Sequence, residues 1–235
     1  MAVSVRSRSR KNESKGYQLY KEAADAGYQE GNAGLGMCYE NGYGVQKNLP
    51  SAVKYYQLAA DAGNNYSQYR LYGILRDGDV GVSKDTSKAL QYLRDAANNE
   101  YPDAMYSLGY EYIVGEILHQ ENSQAVKWMT NAADAGNAFA SAVIGIAYYE
   151  GEEPFSKDYD AAFKYMSQAA QYIQSSEEKD EMIGQLCRNL AACYRFGRGT
   201  TVNNSLASYY TELAAQFGNE GSIDAVNLIR RNNEK

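Results

Sequence analysis

The stretch Asn32–Gly63 holds Leu35-Gly36-Met37-Cys38-Tyr39, then Asn41-Gly42-Tyr43-Gly44-Val45, then Ala52-Val53-Lys54-Tyr55-Tyr56, and closes on Ala59-Ala60-Asp61-Ala62-Gly63. The closing Ala-Ala pair returns at Ala23-Ala24, Ala96-Ala97, Ala132-Ala133, Ala169-Ala170 and Ala214-Ala215. Successive spacings are 36, 37, 36, 37 and 45 residues. A period of this size marks a helical solenoid, in which each unit buries its apolar face against its neighbours.

Within a unit the pattern reads as two helices. The first, helix A, carries an apolar residue, a small residue that is glycine in four copies, and then an aromatic in all but the second copy: Leu35/Tyr39, Tyr72/Arg76, Leu108/Tyr112, Ile144/Tyr148 and Leu190/Tyr194. Offsets of four put each pair on one helix face. Gly36, Gly73, Gly109 and Gly145 fall inside these helices, where glycine costs about 1 kcal/mol relative to alanine. Their recurrence predicts close approach of a neighbouring helix, and Ala191 keeps the position small in the last unit. A glycine-containing loop follows. Helix B is expected to start at Asn48, Asp85, Asn122, Asp158 and Asn203, all residues suited to an N-cap. It continues with Ala52/Tyr55, Ala89/Tyr92, Ala125/Trp128, Ala162/Tyr165 and Ala207/Tyr210, and Gly27, Gly63, Gly136 and Gly218 stop it.

The expected organisation is a disordered basic tail at 1–15, a half-repeat cap at 16–31, and repeats at 32–63, 64–100, 101–136, 137–172 and 176–218. A capping helix at 221–233 closes the chain. The fifth repeat is about nine residues longer, and the polar excess around Gln171–Asp180 predicts longer helices or a protruding loop.

Net charge is −6. Arg6, Arg8, Arg10, Lys11 and Lys15 against Glu13 give the first fifteen residues +4, so the remainder carries −10. That acidic body argues against nucleic-acid backbone binding. No apolar run reaches the roughly 18 residues of a membrane span, and no apolar stretch follows the basic start as a secretory signal requires. A cytoplasmic location is expected, with nuclear entry the alternative through the basic tail. Cys38, Cys187 and Cys193 are placed in the core as reduced thiols.

These residues resemble the Sel1-like repeat: Ala-x-x-x-Leu-Gly-x-x-Tyr, Gly-x-Gly-Val, Ala-x-x-Trp/Tyr and Ala-Ala-x-x-Gly. The match is closest at Ala104–Gly109 with Ala125–Gly136, and at Leu35–Gly63. The resemblance implies an all-α, right-handed α/α superhelical solenoid of about twelve helices, similar to tetratricopeptide repeats, with helix A lining the concave side. It also implies an adaptor that gathers proteins. A cysteine-rich bacterial subgroup of the family is associated with β-lactam binding or hydrolysis. This chain lacks the paired cysteines of that subgroup, so that activity is not carried over and the β-lactam enzyme stands only as an alternative reading. A second alternative is a structural fragment or self-associating unit, because Ile223, Val226 and Ile229 on the last helix could stack on another copy.

Catalytic machinery is absent from the pattern. His119 stands without a Cys/His cluster, and Glu150, Glu152 and Glu153 read as solvated loop carboxylates. No enzyme activity, cofactor or metal is expected. A second face of helix A falls three residues before, one after and four after the glycine. It predicts a partner-binding row: Met37 and Glu40, then Arg70, Ile74 and Asp77, then Tyr106, Tyr110 and Ile113, then Ile146 and Tyr149, and last Arg188 and Arg195. Tyrosine and arginine dominate interface energetics. The row predicts a groove for a peptide or helix whose acidic group lies near Arg188 and Arg195, with weak self-association through the terminal helices.

Overall fold

The computed structural model describes residues 2–175 and 181–233. Among these lie twelve helices and no strand. They are α1 (Ala2–Asp25), α2 (Gln29–Asn41), α3 (Leu49–Asp61), α4 (Asn65–Asp77), α5 (Thr86–Asn98) and α6 (Pro102–Val114). Then come α7 (Asn122–Asp134), α8 (Ala138–Glu150), α9 (Tyr159–Ser175), α10 (Glu181–Phe196), α11 (Asn204–Gln216) and α12 (Glu220–Asn233). Two compact units divide the chain, Met1–Leu108 and Gly109–Lys235, with the boundary inside α6. In the first unit α2 packs on α3 and α4 on α5; in the second α8 packs on α9 and α10 on α11.

Side-chain caps set the helix starts. Asn48 accepts from the Ser51 amide at 2.9 Å, Asp85 from Lys88 at 3.0 Å, Asp158 from Ala161 at 3.0 Å and Asn203 from Leu206 at 3.0 Å. Each satisfies an amide that the first turn leaves open. The expectation at Asn122 is corrected: Asn122 is the first helical residue of α7, and the cap position belongs to Glu121, whose side chain makes no cap bond. The helix-B stops behave as expected, with Gly27, Gly63, Gly136 and Gly218 at φ between 85° and 91°. In the second repeat the same place holds Glu100, at φ 60°.

Helix-A glycines make room for helix B. A Cβ on Gly36 would meet the Tyr56 ring at 2.5 Å, one on Gly109 the Met129 Cγ at 2.5 Å, and one on Gly145 the Met166 Cγ at 2.7 Å. These glycines are the eighth residues of α2, α6 and α8, and they face the eighth residues of α3, α7 and α9. Gly73 departs from the set. It is the ninth residue of α4, and nothing lies within 4 Å of a Cβ there. The eighth residue is Tyr72, and the apolar seventh, matching Leu35, Leu108 and Ile144, is Leu71, fully buried. Tyr72 is buried and its hydroxyl accepts from Arg76 at 3.2 Å, so these two do share a face, but the pair in register with Leu35/Tyr39 is Leu71 with Leu75. The extra residue of the second repeat sits in the α4–α5 loop, where Asp79 and Val82 close a turn by reciprocal amide–carbonyl bonds of 3.0 and 2.8 Å.

Aromatic pairs stitch helix A to helix B inside a repeat. Tyr39 stacks on Tyr55 at 5.4 Å, Tyr148 on Tyr165 at 6.0 Å and Tyr194 on Tyr210 at 5.8 Å, all within 12° of parallel. Such pairs add about 0.5–1.5 kcal/mol beyond their buried area. In α7 the ammonium of Lys127 lies 5.6 Å from the centroid of the Trp128 ring.

At the N-terminal end α1 is helical from Ala2, so the backbone of 2–15 follows a helix where a disordered tail was expected. Physically, no glycine or proline interrupts Ala2–Lys15, and α1 packs on α2. Tyr17 meets the Tyr39 hydroxyl at 3.1 Å, and the Glu13–Ser14 backbone lies against Gly44. At the long repeat α9 and α10 run to 17 and 16 residues against 13 for the other paired helices, the lengthened-helix form of the two expectations. Residues 176–180 of that insert lie outside the described residues. Cys38, Cys187 and Cys193 are buried free thiols. Burial pushes Cys187 up to about 12 and Cys193 up to about 11, which leaves little nucleophilic thiolate.

Candidate functional site

The corrected register of α4 changes the predicted row. Its fifth, ninth and twelfth residues are Tyr69, Gly73 and Arg76, not Arg70, Ile74 and Asp77. Ile74 belongs to the core at 9% exposure. Arg70 instead reaches back to α2 and pairs with Glu40: its Nε donates to Oε2 at 3.2 Å, and its Nη2 makes a second, close contact with Oε1. The Tyr56 hydroxyl also donates to Glu40 at 2.7 Å. Glu40 and Arg70 thus form a seam between two repeats, with Glu40 nearly covered. Asp77 is exposed, 3.2 Å from the neighbouring Arg76 guanidinium. Tyr69 meets the Ser107 hydroxyl at 3.2 Å.

On α6, Tyr110 is exposed and Tyr106 half-buried, while Ile113 is half-buried. On α8, Ile146 and Tyr149 are buried. Tyr149 is held by a residue the row did not include. Arg198, in the loop after α10, places its guanidinium 5.6 Å from the Tyr149 ring, 4.9 Å from Tyr159 and 5.2 Å from Phe196, and donates to the Tyr149 hydroxyl. Burial raises the Tyr149 pKa, and the bond from Arg198 opposes that rise. The signal available in the sequence was the Gly197-Arg198-Gly199 triplet, which repeats the Gly42-Tyr43-Gly44 turn with a cation at its centre.

Arg188 and Arg195 come together. Both line a cleft of about 280 Å³ between α10, α11 and α12, along with Phe196, Thr211 and Ser222. Arg188 also donates to Glu150 at 3.0 Å, and Arg195 lies 3.5 Å from the Thr211 hydroxyl. The Glu150 carboxylate takes a second bond, from Asn189 at 3.1 Å. Arg195 is exposed, and Phe196 is 62% exposed beside it. The cleft therefore offers the Arg195 guanidinium, an Arg188 guanidinium shared with Glu150, a hydroxyl and an aromatic wall, a set suited to an anionic group with an apolar stem. His119 is exposed on its loop, and no group of three His, Cys, Asp or Glu side chains among the described residues is arranged to hold a metal.

A model of the Sel1 repeat matches six segments of the chain: 7–28, 29–64, 66–101, 102–137, 138–171 and 185–219. The chain belongs to the Sel1 repeat family. The first matched segment falls on α1, and the other five fall on the pairs α2–α3, α4–α5, α6–α7, α8–α9 and α10–α11. Among curated relatives, chitin synthase regulator SKT5 of Saccharomyces cerevisiae is 29% identical over 204 residues, covering 83% of this chain and 28% of that protein. Chitin synthase regulatory factor 2 of Schizosaccharomyces pombe is 33% identical over 104 residues, covering 43% of this chain and 20% of that protein. The chain thus spans less than a third of the length of either. Among solved structures, a Sel1 repeat protein from Oxalobacter formigenes aligns with a TM-score of 0.76 at 24% identity, over 91% of this chain and 58% of that one. The antigen c5321 of uropathogenic Escherichia coli, with the same repeat fold, aligns with a TM-score of 0.68 at 26% identity, over 87% of this chain and 41% of that one. The Sel1 fold of this chain is accordingly an all-α solenoid. Among the described residues no helix is long and apolar enough to cross a membrane.

Proposed function

We propose that this chain is a non-catalytic interaction scaffold that binds a peptide or helix of a partner protein through its helix-A positions. The observation that carries the reading is the α10–α12 cleft, where Arg188 and Arg195 flank the exposed Phe196. It receives an acidic side chain of the partner. Tyr106 and Tyr110 on α6 supply further contact area, since aromatic side chains bury much surface at small entropic cost. Relatives described as regulators of chitin synthase support a role in holding an enzyme rather than performing a reaction. The three buried free thiols, set apart from the paired cysteines of the β-lactam subgroup, support the same reading over a β-lactam hydrolase.

The test begins with affinity capture from the native cell extract, followed by direct titration of the acidic segment of the captured protein. Arg188→Glu with Arg195→Glu is expected to weaken that titration at least tenfold, while an acid-to-lysine exchange in the segment restores part of it. A folded double variant that binds the segment as tightly as the unaltered chain overturns the reading. A second, weaker reading has one supporting observation: Ile223 is exposed on α12. End-to-end self-association through that helix would raise the scattering mass with concentration and vanish in Ile223→Lys. The Ile229 side chain lies outside the described residues.

A further inference from the structure

A cleft of about 390 Å³ opens on the helix-B side of the first unit, between α3, α4 and α5. Asp61, Gln68, Lys88, Gln91, Tyr92 and Asp95 line it. The equivalent place in the second unit, between α7, α8 and α9, shows what such a cleft can hold. There Asp134, the thirteenth residue of α7, accepts from the Lys164 ammonium at 2.9 Å. Lys164 is the sixth residue of α9, and its ammonium lies 4.4 Å from the ring centroid of the seventh, Tyr165, and 3.2 Å from that hydroxyl.

In the first unit Asp61 is the thirteenth residue of α3, and the sixth and seventh of α5 are Gln91 and Tyr92. The acid and the ring are retained, and the lysine is replaced by a neutral amide. Among the described residues neither Asp61 nor Asp95 has an ion-pair partner. Lys88, on the same wall, is exposed and lies 3.9 Å from Asp85 at the start of α5. After burial, Asp61 and Asp95 are the causes that raise the Tyr92 pKa, so both carboxylates project negative field onto the ring. Gln68 is 7% exposed. Its Nε2 donates to the Ala60 carbonyl at 3.3 Å, and its Oε1 has no hydrogen-bond partner. The lining thus combines two carboxylates, a spare amide oxygen and an aromatic face, all of which attract a hydrogen-bonding cation.

We propose that this cleft receives a lysine side chain of a partner protein, its ammonium seated between Asp61 and Tyr92 as the ammonium of Lys164 is seated between Asp134 and Tyr165. A compact ammonium carries three donors, matching Asp61, Asp95 and the Gln68 Oε1, while its four-carbon stem covers apolar wall. The cleft shares no residue with the cleft of Arg188 and Arg195 and selects the opposite charge, so the proposal stands independently of the helix-A reading.

The test uses a blocked glycine-lysine-glycine tripeptide titrated into the full chain, followed by residue-resolved amide shifts in nuclear magnetic resonance. Saturable shifts are expected at Asp61, Gln91 and Tyr92. The Nε-acetylated tripeptide leaves them unmoved. Asp61→Asn weakens the lysine tripeptide about tenfold, the loss expected when a charge-assisted hydrogen bond is removed. Gln91→Lys supplies the ammonium from within and abolishes binding. Shifts that stay linear with concentration, an acetylated tripeptide that binds equally well, or a folded Gln91→Lys variant that still binds would overturn the proposal. An arginine tripeptide that binds as tightly would overturn the choice of lysine.

Discussion

Two glycine-to-alanine substitutions in helix A are expected to move stability in opposite directions. In an isolated helix each gains about 1 kcal/mol, because alanine loses less backbone entropy. Gly73 is exposed, and its added methyl meets nothing within 4 Å. Gly73→Ala should therefore keep the whole gain, raising the melting temperature by about 2–4 °C in a chain of this length. At Gly145 the added methyl lies 2.7 Å from the Met166 Cγ and 2.8 Å from the Met166 backbone nitrogen. The side chain can turn away, but the backbone contact forces α8 and α9 apart by about 0.6 Å to reach ordinary van der Waals distance. Overpacking of this kind costs about 1–3 kcal/mol, which outweighs the helix gain and leaves a net loss of about 1 kcal/mol. Circular dichroism at 222 nm against temperature, with urea midpoints as a second measure, should separate the two variants by about 4–8 °C. If both substitutions stabilise equally, close helix approach does not explain the recurring glycine. If Gly73→Ala destabilises, the register assigned to α4 is wrong.

Glu100 occupies the left-handed place that glycine fills at the end of four other B helices. Glu100→Gly removes about 1–2 kcal/mol of backbone strain and gives back roughly half as unfolded-state entropy; urea midpoints should rise, and an unchanged or lower midpoint counts against strain there. The thiols give a pH dependence of known sign. Burial holds the Cys187 thiol protonated up to about 12, against an ordinary value of 9.0. The folded state keeps this proton longer than the unfolded one, so its contribution is fully present below pH 9 and is lost as pH rises toward 12. Native chain should resist Ellman's reagent at pH 8 and yield all three thiols once urea unfolds it; rapid labelling of the folded chain would contradict the burial.

The repeat period, the helix-B stops and four of five helix-B caps were legible because each is a local backbone requirement met by a residue type. The α4 register was not. Tyr72-Gly73 imitates the Leu-Gly signature of the other repeats, and only three-dimensional packing reveals that the inserted residue was taken up by the following loop. For the same reason Arg70 was placed on the wrong face. Its bond to Glu40 spans 30 residues, a pairing that periodicity cannot supply. Arg188 and Arg195 were legible as a pair because a seven-residue offset returns to the same helix face. Tyr149 was not, since its ring packs on Tyr159 and on Arg198, both of which arrive from outside α8.

Trp128 on α7 is the chain's single tryptophan and belongs wholly to the second compact unit. The two common optical probes of unfolding therefore watch different lengths of chain. Indole emission reports only the surroundings of α7, whereas far-ultraviolet ellipticity sums over every turn of helix in both units. Superimposable curves mean that the repeats melt as one cooperative body. Curves that part company give the order of melting directly: ellipticity lost while emission holds identifies unwinding that begins in repeats away from α7, without a label or a truncated chain.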